Sequence, residues 1–229
     1  MPNETSKIKD RILPLLQAAG PVGIDIGCGQ DPITPECLAW DREQGDAADL
    51  EGCTPNQFDW IYSSHCLEHL PAPHLVVARW WECLRPGGLL AIVVPDEDAY
   101  EQGVWPSAWN PEHCQSFTPH KTLGSSWCPA SINLTDLIKF LPNHKLRSIQ
   151  IIDTTVPSKS RRDQTEEGAI AHIEMIVEKL PPQQTRTSLL ESIACCATCG
   201  REEILLGRKT TGELLTRCTA CSTIGTYRL

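Results

Sequence analysis

The sequence predicts an α/β fold: an open, mostly parallel sheet flanked by helices, followed by a small cysteine-bearing module. Three observations carry this reading. Short apolar runs at residues 22–26, 58–62 and 89–94 alternate with segments of helical period, and strands buried on both faces read this way. The first run closes on Gly27-Cys28-Gly29, where missing side chains let the backbone turn sharply and a ligand come close. The 12 cysteines split into seven scattered singly and five crowded between residues 195 and 221, which separates a body from a tail.

The 229 residues suffice for one α/β domain of about 100–200 residues and a small appendage, drawn at residues 1–182 and 190–229. The net charge is −9, and residues 190–229 carry 5 basic and 4 acidic side chains, so the acidity lies in the body. An acidic body does not attract phosphate backbones, which argues against a nucleic-acid substrate. No apolar run approaches the roughly 20 residues that span a bilayer. The polar start, Met1 to Lys9, has no apolar signal core after it, so the expected location is the cytoplasm.

In chain order, residues 1–20 read as a helix, with Ile8, Ile12, Leu15, Leu16 and Ala19 at helical spacing, a kink at Pro14 and a stop at Gly20-Pro21. Residues 22–26 form the first strand. Asp25 sits inside it and needs partners, either turn amides or a polar ligand. The Pro-rich residues 31–35 leave little room for a long helix. Residues 37–41 read as a second short strand ending in Asp41, and residues 58–62 as a third with the polar exit Ser63-Ser64. Residues 73–84 form a helix that Pro86-Gly87-Gly88 stops, and residues 89–94 the next strand. A long insertion rich in Trp105, Pro106, Trp109 and Pro111 follows, in the place where α/β enzymes hold substrate. Residues 133–141 read as a helix capped by Asn133 or Thr135. Residues 146–153 and 172–180 read as a closing antiparallel hairpin, with residues 156–168 a polar, mobile linker between them.

Four stretches, in order, resemble the motifs of the class I S-adenosylmethionine-dependent methyltransferases. They are Gly23-Ile24-Asp25-Ile26-Gly27-Cys28-Gly29, Gly45-Asp46-Ala47-Ala48-Asp49-Leu50, residues 58–70, and Leu84-Arg85-Pro86-Gly87-Gly88-Leu89-Leu90. The resemblance implies a Rossmann-like, seven-stranded, mostly parallel sheet with an antiparallel last strand, S-adenosylmethionine as cofactor, and methyl transfer as the reaction. It implies that Asp25, Gly27, Cys28 and Gly29 lie against the methionine part of the cofactor, with Cys28 turned to packing. It implies that Asp46 and Ala47 meet the adenine, and that Ser63, Ser64 and His65 line the cofactor. Asp41 lies sixteen residues after Asp25, near the roughly 20-residue offset of a ribose-binding acid. Glu68-His69 is expected to fix the turn, with His69 a hydrogen-bonded packing residue.

Pro95-Asp96 with Tyr100, then Asn110, His113, Phe117 and Thr118, resembles a subgroup associated with polysaccharide and glycolipid gene clusters. An oxygen acceptor must lose its proton as it attacks, which favours a positioned His or carboxylate. His113, His65 and Asp96 are the candidates. For His113 two readings stand level: a general base or substrate contact, or a clamp that holds its loop closed.

In the tail, Cys196-Ala197-Thr198-Cys199 and Cys218-Thr219-Ala220-Cys221 have the pair-and-pair spacing of a four-thiolate structural Zn2+ site. This resembles a zinc ribbon, with residues 204–216 as its hairpin and Cys195 a spare thiol able to compete with Cys196. The expected function is methyl transfer to a hydroxyl of a small molecule or saccharide. The alternatives are a methyltransferase of RNA or protein that docks through the ribbon, and a non-catalytic cofactor-binding scaffold.

Overall fold

The computed structural model describes residues 4–122, 124–157 and 161–182, together with the strand backbones 203–208, 214–218 and 224–227. The chain divides into two compact units, Met1–Pro181 and Pro182–Leu229.

The first unit opens with helix α1, Glu4–Ala19. Its buried stripe is Thr5, Ile8, Ile12 and Leu16, while Leu15 is 47% exposed. The stripe is therefore narrower than the apolar pattern suggested, and the helix continues through Pro14. Strands β1 (Gly23–Ile26), β2 (Leu38–Trp40), β3 (Phe58–Ser64), β4 (Leu84–Pro95), β7 (His144–Asp153) and β8 (Ala171–Lys179) form the main sheet. Its order is β2-β1-β3-β4-β8-β7. The first four strands run parallel, and β8 is antiparallel to both β4 and β7. Two further short strands, β5 (Ser116–Thr118) and β6 (Ser131–Asn133), pair in parallel within the insertion.

Both faces of the sheet are covered, which explains why its strands are apolar throughout. On β4, Leu90, Ile92 and Val94 face helices α2 (Pro73–Cys83) and α3 (Leu134–Ile138), whereas Ala91 and Val93 face α1. Trp60 and Tyr62 of β3 join Ile8, Ile12 and Leu16 of α1 in the same layer. The Trp60 ring lies over Gly23, where a Cβ would come within 1.9 Å of it. The Asn133 side chain caps α3 by accepting a hydrogen bond from the Thr135 amide at 2.9 Å.

Three expectations need correction. Among the described residues the main sheet has six strands, not seven. Residues 41–57 form turns that bury Leu50 and Cys53, and β2 is left at the edge. Pro86-Gly87-Gly88 does not precede a strand but lies inside β4, where the register with β3 shifts between Phe58 and Trp60. Gly87 has φ 86°, and a Cβ on Gly88 would meet the Asp59 carbonyl at 2.7 Å. The described parts of the linker between β7 and β8 are pinned: Gln164 is buried, and its amide exchanges two hydrogen bonds with the Val156 backbone, each 2.9 Å, while residues 158–160 lie outside the described residues. Residues 165–167 add a single 3-10 turn.

In the second unit, β9 (Glu203–Arg208), β10 (Leu214–Cys218) and β11 (Ile224–Tyr227) form an antiparallel sheet in the order β11-β10-β9. Cys196, Cys199 and Cys221 lie outside the described residues, as does the side chain of Cys218. Among the described residues, no helix is long and apolar enough to cross a membrane.

Candidate active site

The site is built where β1 and β3 end side by side. β1 runs into Gly27 and Gly29, with φ 77° and 57°. The Gly27 amide donates to the Trp40 carbonyl at 2.8 Å, which ties the turn to the end of β2. A Cβ on Gly27 would sit 2.5 Å from the Cys66 Cβ, so the absence of a side chain lets the turn close against the exit of β3. The Gly29 amide donates to Asp41 Oδ2 at 2.6 Å, and Asp41 Oδ1 accepts from the Arg42 amide at 2.7 Å.

Two cavities meet at this turn. The smaller, about 270 Å³, is lined by Gly27, Cys28, Gly29, Ser64 and His65, and walled by Glu4, Thr5, Thr165 and Glu166. The larger, about 740 Å³, is lined by Asp41, Arg42, Asp46, Ala47 and His69, among others. Gly27 and His65 line both. Of the ten residues expected to bind cofactor, eight line a cavity and two do not. Asp25 lies beneath the turn, where its Oδ2 accepts from the Ile33 amide at 2.7 Å. Burial pushes its carboxyl up to about 7. Ser63 is buried and donates through its hydroxyl to the Ile26 carbonyl at 3.0 Å. Both residues fix the strand ends rather than face a ligand.

His65 leaves β3 in the left-handed region, with φ 51°. Its amide donates to the Val93 carbonyl at 2.9 Å. Burial lowers its pKa well below the usual histidine range, so the ring is neutral and carries a lone pair at pH 7. Its Nε2 stands 3.9 Å from Glu4 Oε2, its Nδ1 3.6 Å from Glu68 Oε1, and its ring packs edge-on against His172.

The other two catalytic candidates sit elsewhere. Asp96 is buried and caps the turn after β4, its Oδ1 accepting from the Asp98 and Ala99 amides. His113 is buried, and its Nδ1 donates to Glu101 Oε1 at 2.8 Å. Neither lines the two cavities. The loop carrying His113 is stitched to the 3-10 turn Leu67–His69: the Cys114 amide donates to the Glu68 carbonyl, and Gln115 Nε2 donates to the Leu67 and Leu70 carbonyls. This environment favours the clamp for His113. His69 Nδ1 donates to the Glu112 carbonyl at 3.2 Å, as expected of a packing histidine, but the ring also lines the larger cavity.

The walls contributed by Glu4, Thr5, Thr165 and Glu166 were not legible in the sequence as site residues. No local pattern marks them, because the start of α1 and the β7–β8 linker reach the cavity only through the tertiary fold. Their carboxylates, with Asp41, Asp46 and Glu112, make the surroundings predominantly acidic and favour a cationic ligand.

The sequence profile of a methyltransferase domain matches residues 1–125. A trans-aconitate 2-methyltransferase from Deinococcus radiodurans is 49% identical over 53 residues, which are 23% of this chain and 19% of that protein. The match thus spans about a fifth of the relative. Among solved structures, an S-adenosylmethionine-dependent methyltransferase from Clostridium acetobutylicum aligns with TM-score 0.50 and 12% identity, over 78% of this chain and 93% of that one. The YcgJ protein of Bacillus subtilis aligns with TM-score 0.50 and 11% identity, over 74% and 98%. At these identities the structural likeness is one of fold.

Proposed function

We propose, from the premise that this chain belongs to the methyltransferase-domain family and is an S-adenosylmethionine-dependent methyltransferase, that it methylates a hydroxyl oxygen of a small molecule or saccharide. The single observation that carries the acceptor reading is His65. It is held neutral by burial where the two cavities join. A neutral imidazole there can take the hydroxyl proton as the oxygen attacks. An acceptor that is already a good nucleophile needs no such group.

The residues present fit the cofactor. The larger cavity takes the nucleoside, with Asp41 beside the ribose hydroxyls and Asp46 and Ala47 at the adenine. The turn at Gly27 and Gly29 and the wall at Ser64 take the methionine part, and the nearby carboxylates suit its positive charge. Bound there, S-adenosylmethionine supplies a methyl group on a positively charged sulfur, which makes that carbon electrophilic. The chain holds the two reactants in line and excludes water, and orientation of this kind is worth roughly 7–11 kcal/mol of barrier. His65 receives the proton released from the acceptor and passes it to solvent through the smaller cavity.

Residues 1–182 carry this chemistry in our reading, and residues 190–229 form the zinc module. Cys196, Cys199, Cys218 and Cys221 are a soft, closed thiolate set suited to one structural zinc ion. The position of Cys218 at the end of β10 in an antiparallel sheet is consistent with it. The acidic body gives no support to a nucleic-acid acceptor.

Titration calorimetry with S-adenosylmethionine tests the binding half, and absence of heat at millimolar cofactor would reject the reading. Asp41→Ala should weaken binding about tenfold or more through two lost charge-assisted hydrogen bonds. Turnover of cofactor to S-adenosylhomocysteine, screened over hydroxylated small molecules, sugars, RNA and proteins, tests the acceptor. On a hydroxyl acceptor, His65→Gln should lower kcat by about 10²–10⁴-fold.

A further inference from the structure

Glu68 lies in the 3-10 turn Leu67–His69 that follows β3. It is 1% exposed, and among the described residues neither carboxylate oxygen has a hydrogen-bond partner. A buried polar group left unmatched is costly, and burial pushes this carboxyl up to about 8; a cation bound beside it would relieve both. Three imidazoles lie near it: His65, with Nδ1 3.6 Å from Glu68 Oε1, His69 and His113. A carboxylate oxygen of Glu68, a ring nitrogen of His69 and one of His113 lie within 4.8 Å of one another. His69 Nε2 stands 3.9 Å from Glu68 Oε1, and the two histidine rings meet edge-on with centroids 5.0 Å apart.

The second nitrogen of each ring is already committed. His69 Nδ1 donates to the Glu112 carbonyl, and His113 Nδ1 donates to the buried Glu101 carboxylate. In the neutral imidazole these two bonds place the proton on Nδ1, so Nε2 is the atom each ring would offer an ion. Metal-binding histidines have this arrangement, a carbonyl or carboxylate holding the far N–H so that the near nitrogen faces the ion. In a tetrahedral site with bonds of about 2.1 Å the donor atoms stand about 3.4 Å apart; Glu68 and His69 stand 3.9 Å apart and every pair of the set lies within 4.8 Å, so side-chain rotation would have to draw the three donors inward.

We propose that Glu68, His69 and His113 bind a divalent transition-metal ion that staples the turn after β3 to the loop carrying His113. Two imidazoles and one carboxylate suit zinc, cobalt(II) or iron(II) in preference to magnesium or calcium. Three protein donors leave a fourth position, and His69 places it beside the larger cavity. The ion would hold the roof of that cavity; His65 lies outside the donor set but is its neighbour, with Nδ1 3.6 Å from Glu68 Oε1. The inference does not rest on the identity of the methyl acceptor.

The test uses the full-length chain, stripped of metal and titrated with cobalt(II). Wild type should bind one equivalent more than either Glu68→Gln or His69→Ala. That extra equivalent should give weak visible d–d bands and no sulfur-to-metal charge transfer in the near ultraviolet, which separates it from the four-cysteine set. Saturation with zinc at a hundredfold excess over Kd should raise the melting temperature of the wild-type body by roughly 5–10 °C and leave Glu68→Gln unmoved. Glu68→Gln is isosteric, so it should fold; His69→Ala alters a partly exposed ring and serves as the second check. Equal cobalt stoichiometry in all three proteins overturns the proposal. Cofactor calorimetry on the same samples tells the two readings apart: heat with no extra metal refutes the staple alone, and extra metal with no heat refutes the methyltransferase assignment alone.

Discussion

Asp25 shows how one residue couples local chemistry to the stability of the whole. It lies inside β1, is 1% exposed, and accepts one backbone amide, from Ile33. Its carboxyl titrates near 3.8 when unperturbed and near 7 in the fold, where burial outweighs that single hydrogen bond. Between those values the folded state holds the extra proton, so stability falls as pH rises. Wild type should lose on the order of 3 kcal/mol from this residue between pH 5 and pH 8. Asp25→Asn keeps an acceptor for the Ile33 amide and carries no charge, so its denaturation midpoint should be flatter across the same range. An equal slope in both proteins would show that Asp25 is not the source. The sequence exposed Asp25 as a carboxylate in an apolar run and left open whether turn amides or a ligand would satisfy it. The fold answers with an amide, because residues 31–35 turn back over the strand end. His113 was undecided for the same kind of reason: its partner, Glu101, lies twelve residues away on a loop with no periodic pattern.

Among the elements, the turn after β1 separates two effects of glycine. Gly27 combines φ 77° with a neighbour 2.5 Å from any Cβ, while Gly29 has φ 57° and open space around it. Gly29→Ala should therefore cost only the left-handed strain, about 1–2 kcal/mol. Gly27→Ala adds overpacking against Cys66, for a total of roughly 2–5 kcal/mol. Urea denaturation of the two variants checks the order, and equal losses would contradict it. Strands and their order were the legible part of the fold, since apolar runs and Gly-Pro punctuation are local signals. The missing seventh strand was not legible. The expectation came from the resemblance, whereas residues 41–57 contain no run of β-branched or apolar residues able to add an edge beyond β2. The glycine-rich segment inside β4 was misread because Pro-Gly-Gly signals a stop, yet the chain keeps pairing with β3 across the irregularity.

For the whole molecule, the division into residues 1–181 and 182–229 gives an expectation for metal removal. If the four cysteines hold zinc, elemental analysis should find one thiolate-bound ion per chain. Chelation strong enough to remove it should melt the second unit, because a small antiparallel sheet lacks the core to stand alone. Binding of S-adenosylmethionine by the first unit should survive, and calorimetry before and after chelation reads this directly. The cysteine spacing was legible because a metal site imposes a local pattern. The roof of the active-site cavities was not, since Glu4 and Thr165 approach each other only in the folded chain: Lys7 Nζ bridges them by donating to Glu4 Oε1 at 2.7 Å and to the Thr165 carbonyl at 3.3 Å.

The strand at the far edge of the main sheet has a colloidal consequence. β7 offers ten residues with no neighbour on its outer side among the described residues, and Leu146 and Ile151 are 38% and 40% exposed. A long open edge is where two copies of a chain can pair backbone to backbone. Lys145 and Arg147 sit on it, and the register breaks between Leu146 and Ser148, so charge and a local irregularity both resist such pairing. When a preparation is concentrated or warmed, this edge is a surface that should promote self-association. Neutralising Lys145 and Arg147 together should therefore shorten the shelf life of a solution while leaving methyl transfer intact.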